Sequence, residues 1–289
     1  MTTEVADQHQ LYHSYSGVED QERTNVHYER PPEFFTTITG GRWNVYSCNL
    51  WDADVSDDTA SQERKLDLIA QLAGLRSGMR LLDVGCGWAG PLTYLCTRYG
   101  LEGVGLTLSP TQKAFAEERI RREGARAEIR LQHWQDYQPD VPFDVVYTDE
   151  VIVHFNDLGG FFERCHNVLA PGGVMVNKEL HLKHPRHAYL DRGGQQVSEI
   201  YGDTGNYRTL AEELALAGSA GFDIERVHHI AQAHYHATID HWLSNMHAGR
   251  KRLIDLVGAD HYRSFRLYLK LARRIQRNVT CDVVVNRAV

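Results

Sequence analysis

A doubly wound α/β sheet is the fold class this sequence predicts, and three observations predict it. From about residue 61 onward, helical and strand-like hydrophobic patterns alternate. The stretch 80–84 reads as a buried strand that runs straight into the glycines of Gly85-Cys86-Gly87-Trp88-Ala89-Gly90. The chain of 289 residues, 42% hydrophobic and 24% charged, can bury a core of that size without covalent staples.

The elements follow in order. Residues 1–60 hold Tyr28, Phe34, Phe35, Trp43, Tyr46 and Trp51, too many aromatics for a disordered tail, and are expected to form a helical cover. Leu66, Ile69, Ala70 and Ala73 recur at helical spacing. After the strand at 80–84, a helix with Leu92, Leu95 and Cys96 inward leads to a strand at 103–108. Ser109-Pro110-Thr111-Gln112 opens the next helix, with a capping Ser, Pro in the first position and Gln three residues after the cap. Strands are expected at 128–131, 144–148 and 174–180, with a helix at 158–169 before the Pro171-Gly172-Gly173 turn. Residues 181–208, rich in His, Gly, Tyr and Arg, read as a loop insertion. Residues 236–277 read as two amphipathic helices between strands near 222–230 and 279–287, placed to form a lid. The expected organisation is a cover (1–60), a core (61–235), a helical lid (236–278) and a last core strand (279–289).

Composition excludes several classes. Net charge is −7, the wrong sign for general adhesion to nucleic acid. No apolar run approaches the roughly 18 residues of a membrane span, so no integral membrane association is expected. The polar start of the chain does not read as a signal peptide. Five widely spaced cysteines (Cys48, Cys86, Cys96, Cys165, Cys281) favour neither a disulfide framework nor a zinc ribbon, and suit a cytoplasmic location. A homo-oligomer is left open.

The strand-turn-helix around Asp83, Gly85 and Gly87 can bring the backbone close to a ligand and offer a carboxylate to it. The Asp-x-Gly-x-Gly spacing resembles the nucleoside-binding turn of class I S-adenosylmethionine (SAM) methyltransferases, which implies their Rossmann-like sheet. Gly105-Leu106-Thr107-Leu108-Ser109-Pro110-Thr111-Gln112 is similar to the cyclopropane fatty acid synthase and mycolic acid methyltransferase family, with Thr107, Leu108 and Gln112 as cofactor contacts. Tyr46-Ser47-Cys48, His133-Trp134 and the stretch from His234 to Trp242 match the same family in the same order. The resemblance implies that Tyr46 and Ser47 close over SAM and that Trp134 lies near the adenine. It also implies a bicarbonate held by Cys, Glu, His and Tyr. Cys48 and Tyr235 stand in two of those places, but Val153 replaces the Glu and Lys178 the His, which argues against cyclopropane formation.

Tyr147-Thr148-Asp149-Glu150 resembles a segment of geranyl diphosphate C-methyltransferases, which places a carboxylate, Glu150, at the carboxyl end of its strand. Methylation of an alkene leaves a carbocation, for which Tyr28, Phe34, Trp51, Phe155 and Tyr235 are candidate aromatic walls. Glu150 is the expected base, its alternative being a cap or ion-pair role. His154 and Glu179 stand in reserve, and His154 reads equally as a core histidine. Lys178, Arg42, Arg192 and Arg250 are candidates for an anionic substrate, although Lys178 could instead pair with Glu150 or Glu179. Arg263, Arg266, Lys270, Arg273, Arg274 and Arg277 lie at helical spacings and are expected to form a solvated face.

Sixteen histidines form no complete metal-ligand pattern, so no protein-bound metal is expected; Mg²⁺ would ride on a substrate diphosphate. The expected activity is therefore SAM-dependent C-methylation of an isoprenoid diphosphate of the isopentenyl or geranyl type. Modification of a lipid acyl chain, by methylation or cyclopropanation, is the alternative. A non-catalytic SAM-binding protein is the second.

Overall fold

The computed structural model describes residues 30–188 and 206–289. Helix α1 (Pro32–Thr39) and a loop lead to α2 (Asp58–Ala73), and the sheet then begins with β1 (Arg80–Val84). The core continues through α3 (Gly90–Tyr99), β2 (Glu102–Thr107), α4 (Pro110–Glu123), β3 (Ala127–Leu131), β4 (Phe143–Asp149), α5 (Leu158–Val168) and β5 (Leu169–Leu182). Next come α6 (Leu210–Ser219), β6 (Phe222–Ile230), α7 (Gln232–Ala248), α8 (Arg250–Val257), α9 (Ala259–Ile275) and β7 (Val279–Ala288). The seven strands run in the order β3-β2-β1-β4-β5-β7-β6. β1 to β5 are parallel, whereas β7 is antiparallel to both β5 and β6, between which it inserts.

The expected sheet is present. Leu92, Leu95 and Cys96 are buried under α3, and Ser109 Oγ accepts from the Gln112 N–H at 3.2 Å to cap α4. Two expectations need correction. The lid holds three helices rather than two, because Gly249 and Gly258 each end a helix within the amphipathic stretch. Helix α6 was not anticipated, although Thr209 and Glu212 form a complete capping box there. Most of the expected insertion at 181–208, with Arg192, lies outside the described residues, as do Tyr28 and the start of the cover.

Two apolar layers sandwich the sheet. One joins α2, α3 and α4 to α1 and the lid, and the other packs α5 and α6 around Phe161, Phe162 and Phe222. The cover is clamped to the first layer by Arg119, a buried guanidinium of α4. Its Nη1 donates to the Trp43 carbonyl at 2.6 Å and its Nη2 to Asn44 Oδ1. Glycine is required at Gly90, where a Cβ would lie 1.7 Å from the Trp43 carbonyl oxygen. The cover backbone thus rests directly on the first turn of α3.

Arg119→Ala should strand the Trp43 carbonyl in the interior and cost about 3 kcal/mol, the upper range for charged hydrogen bonds. Urea denaturation monitored by tryptophan fluorescence checks it.

Candidate active site

The carboxyl ends of β1, β4 and β5 meet beneath the cover, where open α/β sheets place their sites. β4 ends at Asp149, and the next residue, Glu150, is held at φ 55°. That left-handed conformation costs a non-glycine residue roughly 1 kcal/mol. It turns the chain back so that the Glu150 N–H donates to the Lys178 carbonyl at 2.7 Å. Strain of this kind persists where neighbours over-determine it.

Three donors converge on the Glu150 side chain. Oε1 accepts from the Cys48 N–H at 2.9 Å and from Lys178 Nζ at 2.5 Å, and Oε2 accepts from the Tyr235 hydroxyl at 3.0 Å. Cys48 belongs to the cover, Lys178 to β5 and Tyr235 to the lid helix α7. Lys178 Nζ also lies 3.2 Å from Asp149 Oδ1. The second Asp149 oxygen accepts from Lys65 of α2, from Ser47 Oγ at 2.8 Å and from the Tyr147 hydroxyl at 2.8 Å. Two ammonium groups and two carboxylates therefore alternate: Lys65, Asp149, Lys178, Glu150. Both lysine side chains are fully buried. Burial opposes charge on Lys178, but Asp149 and Glu150 outweigh it and hold its pKa well above the ordinary lysine value. Burial also opposes charge on Asp149, yet Lys178 and Lys65 depress its pKa. For Lys65 burial prevails and the pKa falls.

Tyr46, next to Ser47 in the chain, stacks on Trp242 at 5.0 Å and lies edge-on to Phe35 at 5.5 Å. Beside it lies the glycine turn. Gly85 and Cys86 donate to the Leu106 carbonyl at 3.0 and 2.9 Å, and Thr107 Oγ1 donates to Gln112 Oε1 at 2.7 Å. Asp83 is buried, its Oδ2 has no hydrogen-bond partner, and burial with the nearby Asp149 charge pushes its pKa up to about 8. A Cβ on Gly87 would meet nothing nearer than Gln112 Nε2 at 4.0 Å. An orphaned carboxylate oxygen beside an open glycine turn fits a polar or cationic nucleoside ligand such as SAM.

The structure brings Glu150, Cys48, Tyr235, Lys178, Ser47 and Tyr46 together and sets other candidates apart. His154 is exposed on the short 3₁₀ turn Ile152–His154. Phe155 packs with Trp134 and Phe161 in the opposite apolar layer, so Trp134, with His133 beside it, faces that layer. Phe34 sits in the seam between cover and lid against Phe265, and Trp51 stacks on His241 while its Nε1 donates to Thr238. Arg42 is exposed in an ion pair with Glu123, and Arg250 is exposed at the start of α8. Lys178, expected to meet an anionic substrate, is consumed by two internal carboxylates, which is the alternative role considered for it.

Glu179 points to the other face of β5, accepting from the Leu180 N–H at 2.8 Å and the Val153 N–H at 3.3 Å. Burial and the Glu150 charge push its pKa up to about 8. On that face His181 bridges Glu213 at 2.5 Å and Asp282 at 3.0 Å, and Asp282 reaches the exposed His229 at 3.0 Å. Sequence reasoning missed this second network, and it missed Lys65 and Asp149. The signal for Lys65 was its place on the inward stripe of α2 with Leu66, Ile69 and Ala73. No group of three or more metal-type ligands occurs among the described residues.

The mycolic acid cyclopropane synthetase family model matches residues 16–285. The chain is 30% identical to cyclopropane mycolic acid synthase 2 of Mycobacterium leprae, with 91% of each chain covered. It is 29% identical to methoxy mycolic acid synthase MmaA3 of Mycobacterium tuberculosis, with 89% of each covered. Its fold matches the mycolic acid cyclopropane synthase CmaA1 complexed with SAH and CTAB at a TM-score of 0.85 and 24% identity, over 92% of this chain and 98% of that one. These relatives are named for mycolic acids and overturn the expectation of an isoprenoid diphosphate substrate. Mg²⁺ loses its support with it, since no diphosphate remains to carry the ion. The match to an enzyme family likewise removes the non-catalytic alternative.

Replacing Lys178 with Met should leave two buried carboxylates short of a cation and cost at least about 3 kcal/mol at neutral pH. Adding Glu150→Gln should recover part of that loss in the same denaturation assay. The second network predicts a pH dependence. Burial opposes charge on His181, but Asp282 and Glu213 raise its pKa from 6.5 to about 10. Its stabilisation is then complete below pH 6.5 and fades as the pH rises towards 10. His181→Gln should flatten this limb of the stability profile, and an unchanged slope would exclude His181 as its source.

Proposed function

Since the chain belongs to the mycolic acid cyclopropane synthetase family, and is accordingly a SAM-dependent methyltransferase, we propose that it transfers a one-carbon unit to an alkene carbon of a lipid acyl chain. The observation that carries this reading is the Glu150 carboxylate, held by Cys48, Lys178 and Tyr235 just past the end of β4. SAM supplies the electrophilic methyl group when bound. Asp83, Gly85, Gly87, Thr107, Leu108 and Gln112 would hold it, Tyr46 and Ser47 would close over it from the cover, and the buried His133 and Trp134 would define the far wall.

An isolated alkene is a weak nucleophile, so the protein's main task is to hold its π bond in line with the methyl group and keep water out. Carbon–carbon bond formation leaves a cation on the acyl chain. Desolvated aromatic faces stabilise such a cation by about 2 kcal/mol, and Tyr235, whose hydroxyl donates to Glu150, is the candidate face. Glu150 then takes a proton from the chain. If a neighbouring carbon loses it, a methylated alkene results; if the new methyl carbon loses it, a ring closes. Either outcome adds one CH₂ and releases one proton. Val153 and Lys178, standing where family resemblance expects Glu and His, favour methylation with the double bond retained. Cover (1–60) and lid (236–278) act as the enclosing parts around the core, and five free thiols suit a cytoplasmic setting.

Purified protein with SAM and monounsaturated acyl lipids should give products heavier by one CH₂ on mass spectrometry, and catalytic hydrogenation should saturate them if the double bond survives. Glu150→Gln should keep SAM binding by calorimetry while turnover falls by about 10²-fold or more, the usual contribution of a positioned base. Undiminished turnover would remove Glu150 from the chemistry.

A further inference from the structure

The outer surface of the lid carries charge opposite in sign to the molecule as a whole. Residues 250–277 contain nine Lys or Arg and two Asp, a local net charge of +7 in a chain whose net charge is −7. Lys251, Arg263 and Arg273 are paired with Asp255, Asp260 and Asp240. Arg266, Lys270, Arg274 and Arg277 are exposed and make no ion pair among the described residues. At spacings of four, four and three residues they form one stripe along α9 and the 3₁₀ turn Gln276–Asn278 that follows it, with Leu267, 43% exposed, set among them. Lys183 Nζ donates to the Arg277 carbonyl at 2.8 Å, so the segment holding Lys183, His184, Arg186 and His187 continues the patch. Slight burial and then the charges of Arg186, His184, Lys183 and Arg277 depress the His187 pKa, as an uncompensated cluster should. The opposite face of α9 is the seam over the site, where Phe265 meets Phe34.

We propose that this stripe is a docking face for an anionic lipid bilayer, on which α9 lies parallel to the surface. Cations spread along one helix face suit a plane of many phosphate headgroups, and Leu267 among them can enter the headgroup–acyl boundary. No described helix is long and apolar enough to cross a membrane, so the association is peripheral. Each cation brought near an anionic surface raises partitioning about fivefold. The biological sense of the proposal rests on the acyl-lipid reading, but vesicle binding is measured without turnover, so either can fail alone.

The test is co-sedimentation of the full chain with phosphatidylcholine vesicles with and without phosphatidylglycerol. The wild type should bind only the anionic vesicles and be released as salt rises and screening shortens. Arg266→Glu combined with Lys270→Glu and Arg274→Glu should weaken binding by at least about a hundredfold, with the melting temperature and SAM affinity kept. The triple Gln variant reads the same loss without introducing repulsion. Leu267→Ser should weaken binding severalfold without altering the salt slope. No wild-type binding to the anionic vesicles, or equal binding by the triple variants, would overturn the proposal. So would binding to soluble polyglutamate but not to vesicles, which would assign the patch to an acidic polypeptide.

Discussion

Four alternating charges, Lys65, Asp149, Lys178 and Glu150, are buried where the sheet meets its cover, and the remaining structure depends on their staying paired. An unpaired charge in such a place is far costlier than a paired one is stabilising. The members come from α2, from the end of β4 and from β5, while Ser47, Cys48 and Tyr235 add donors from the cover and the lid. No single layer can satisfy the row alone. Cover, core and lid must close together, and closing them builds the candidate site in the same act.

The parallel part of the fold was legible because it is governed by local rules. Buried strands, a glycine turn and a Ser-Pro cap each leave a signature within a few residues. The lid count was less legible, since an amphipathic period continues through Gly249 and Gly258 while the backbone does not. Within the site, Glu150, Cys48 and Tyr235 could be found from motifs. Their partners could not, because the Lys65–Asp149 pair joins residues 84 positions apart and leaves no mark except a lysine on an inward helix face. Trp134 shows the complementary limit. Its motif position was readable, but the ring's packing on Phe155 and Phe161 is a tertiary fact.

The corrected substrate follows the same logic. A lysine in place of a histidine reads, in isolation, as a cation offered to an anionic ligand. Here its charge is already taken up by Asp149 and Glu150, and Lys65 is paired with Asp149, so neither buried lysine of the site offers a spare ammonium group to a phosphate. What the site adds to that pairing is a carboxylate bonded to the Tyr235 hydroxyl, a setting suited to a neutral hydrocarbon that becomes transiently positive.

The position of β7 bears on how the molecule is made. Strand β6 finds no partner until β7 arrives to pair with it and with β5. During synthesis from the amino end, β5 and β6 therefore emerge with open edges and wait for the whole lid to follow. Unpaired edges of that kind are sticky, and pairings between distant segments form slowly. The five parallel strands, β1 to β5, can assemble as they emerge. The addition of β6 and β7 is a late, nearly all-at-once event, and it is the step at which crowding or a shortage of chaperones would divert the chain into aggregates.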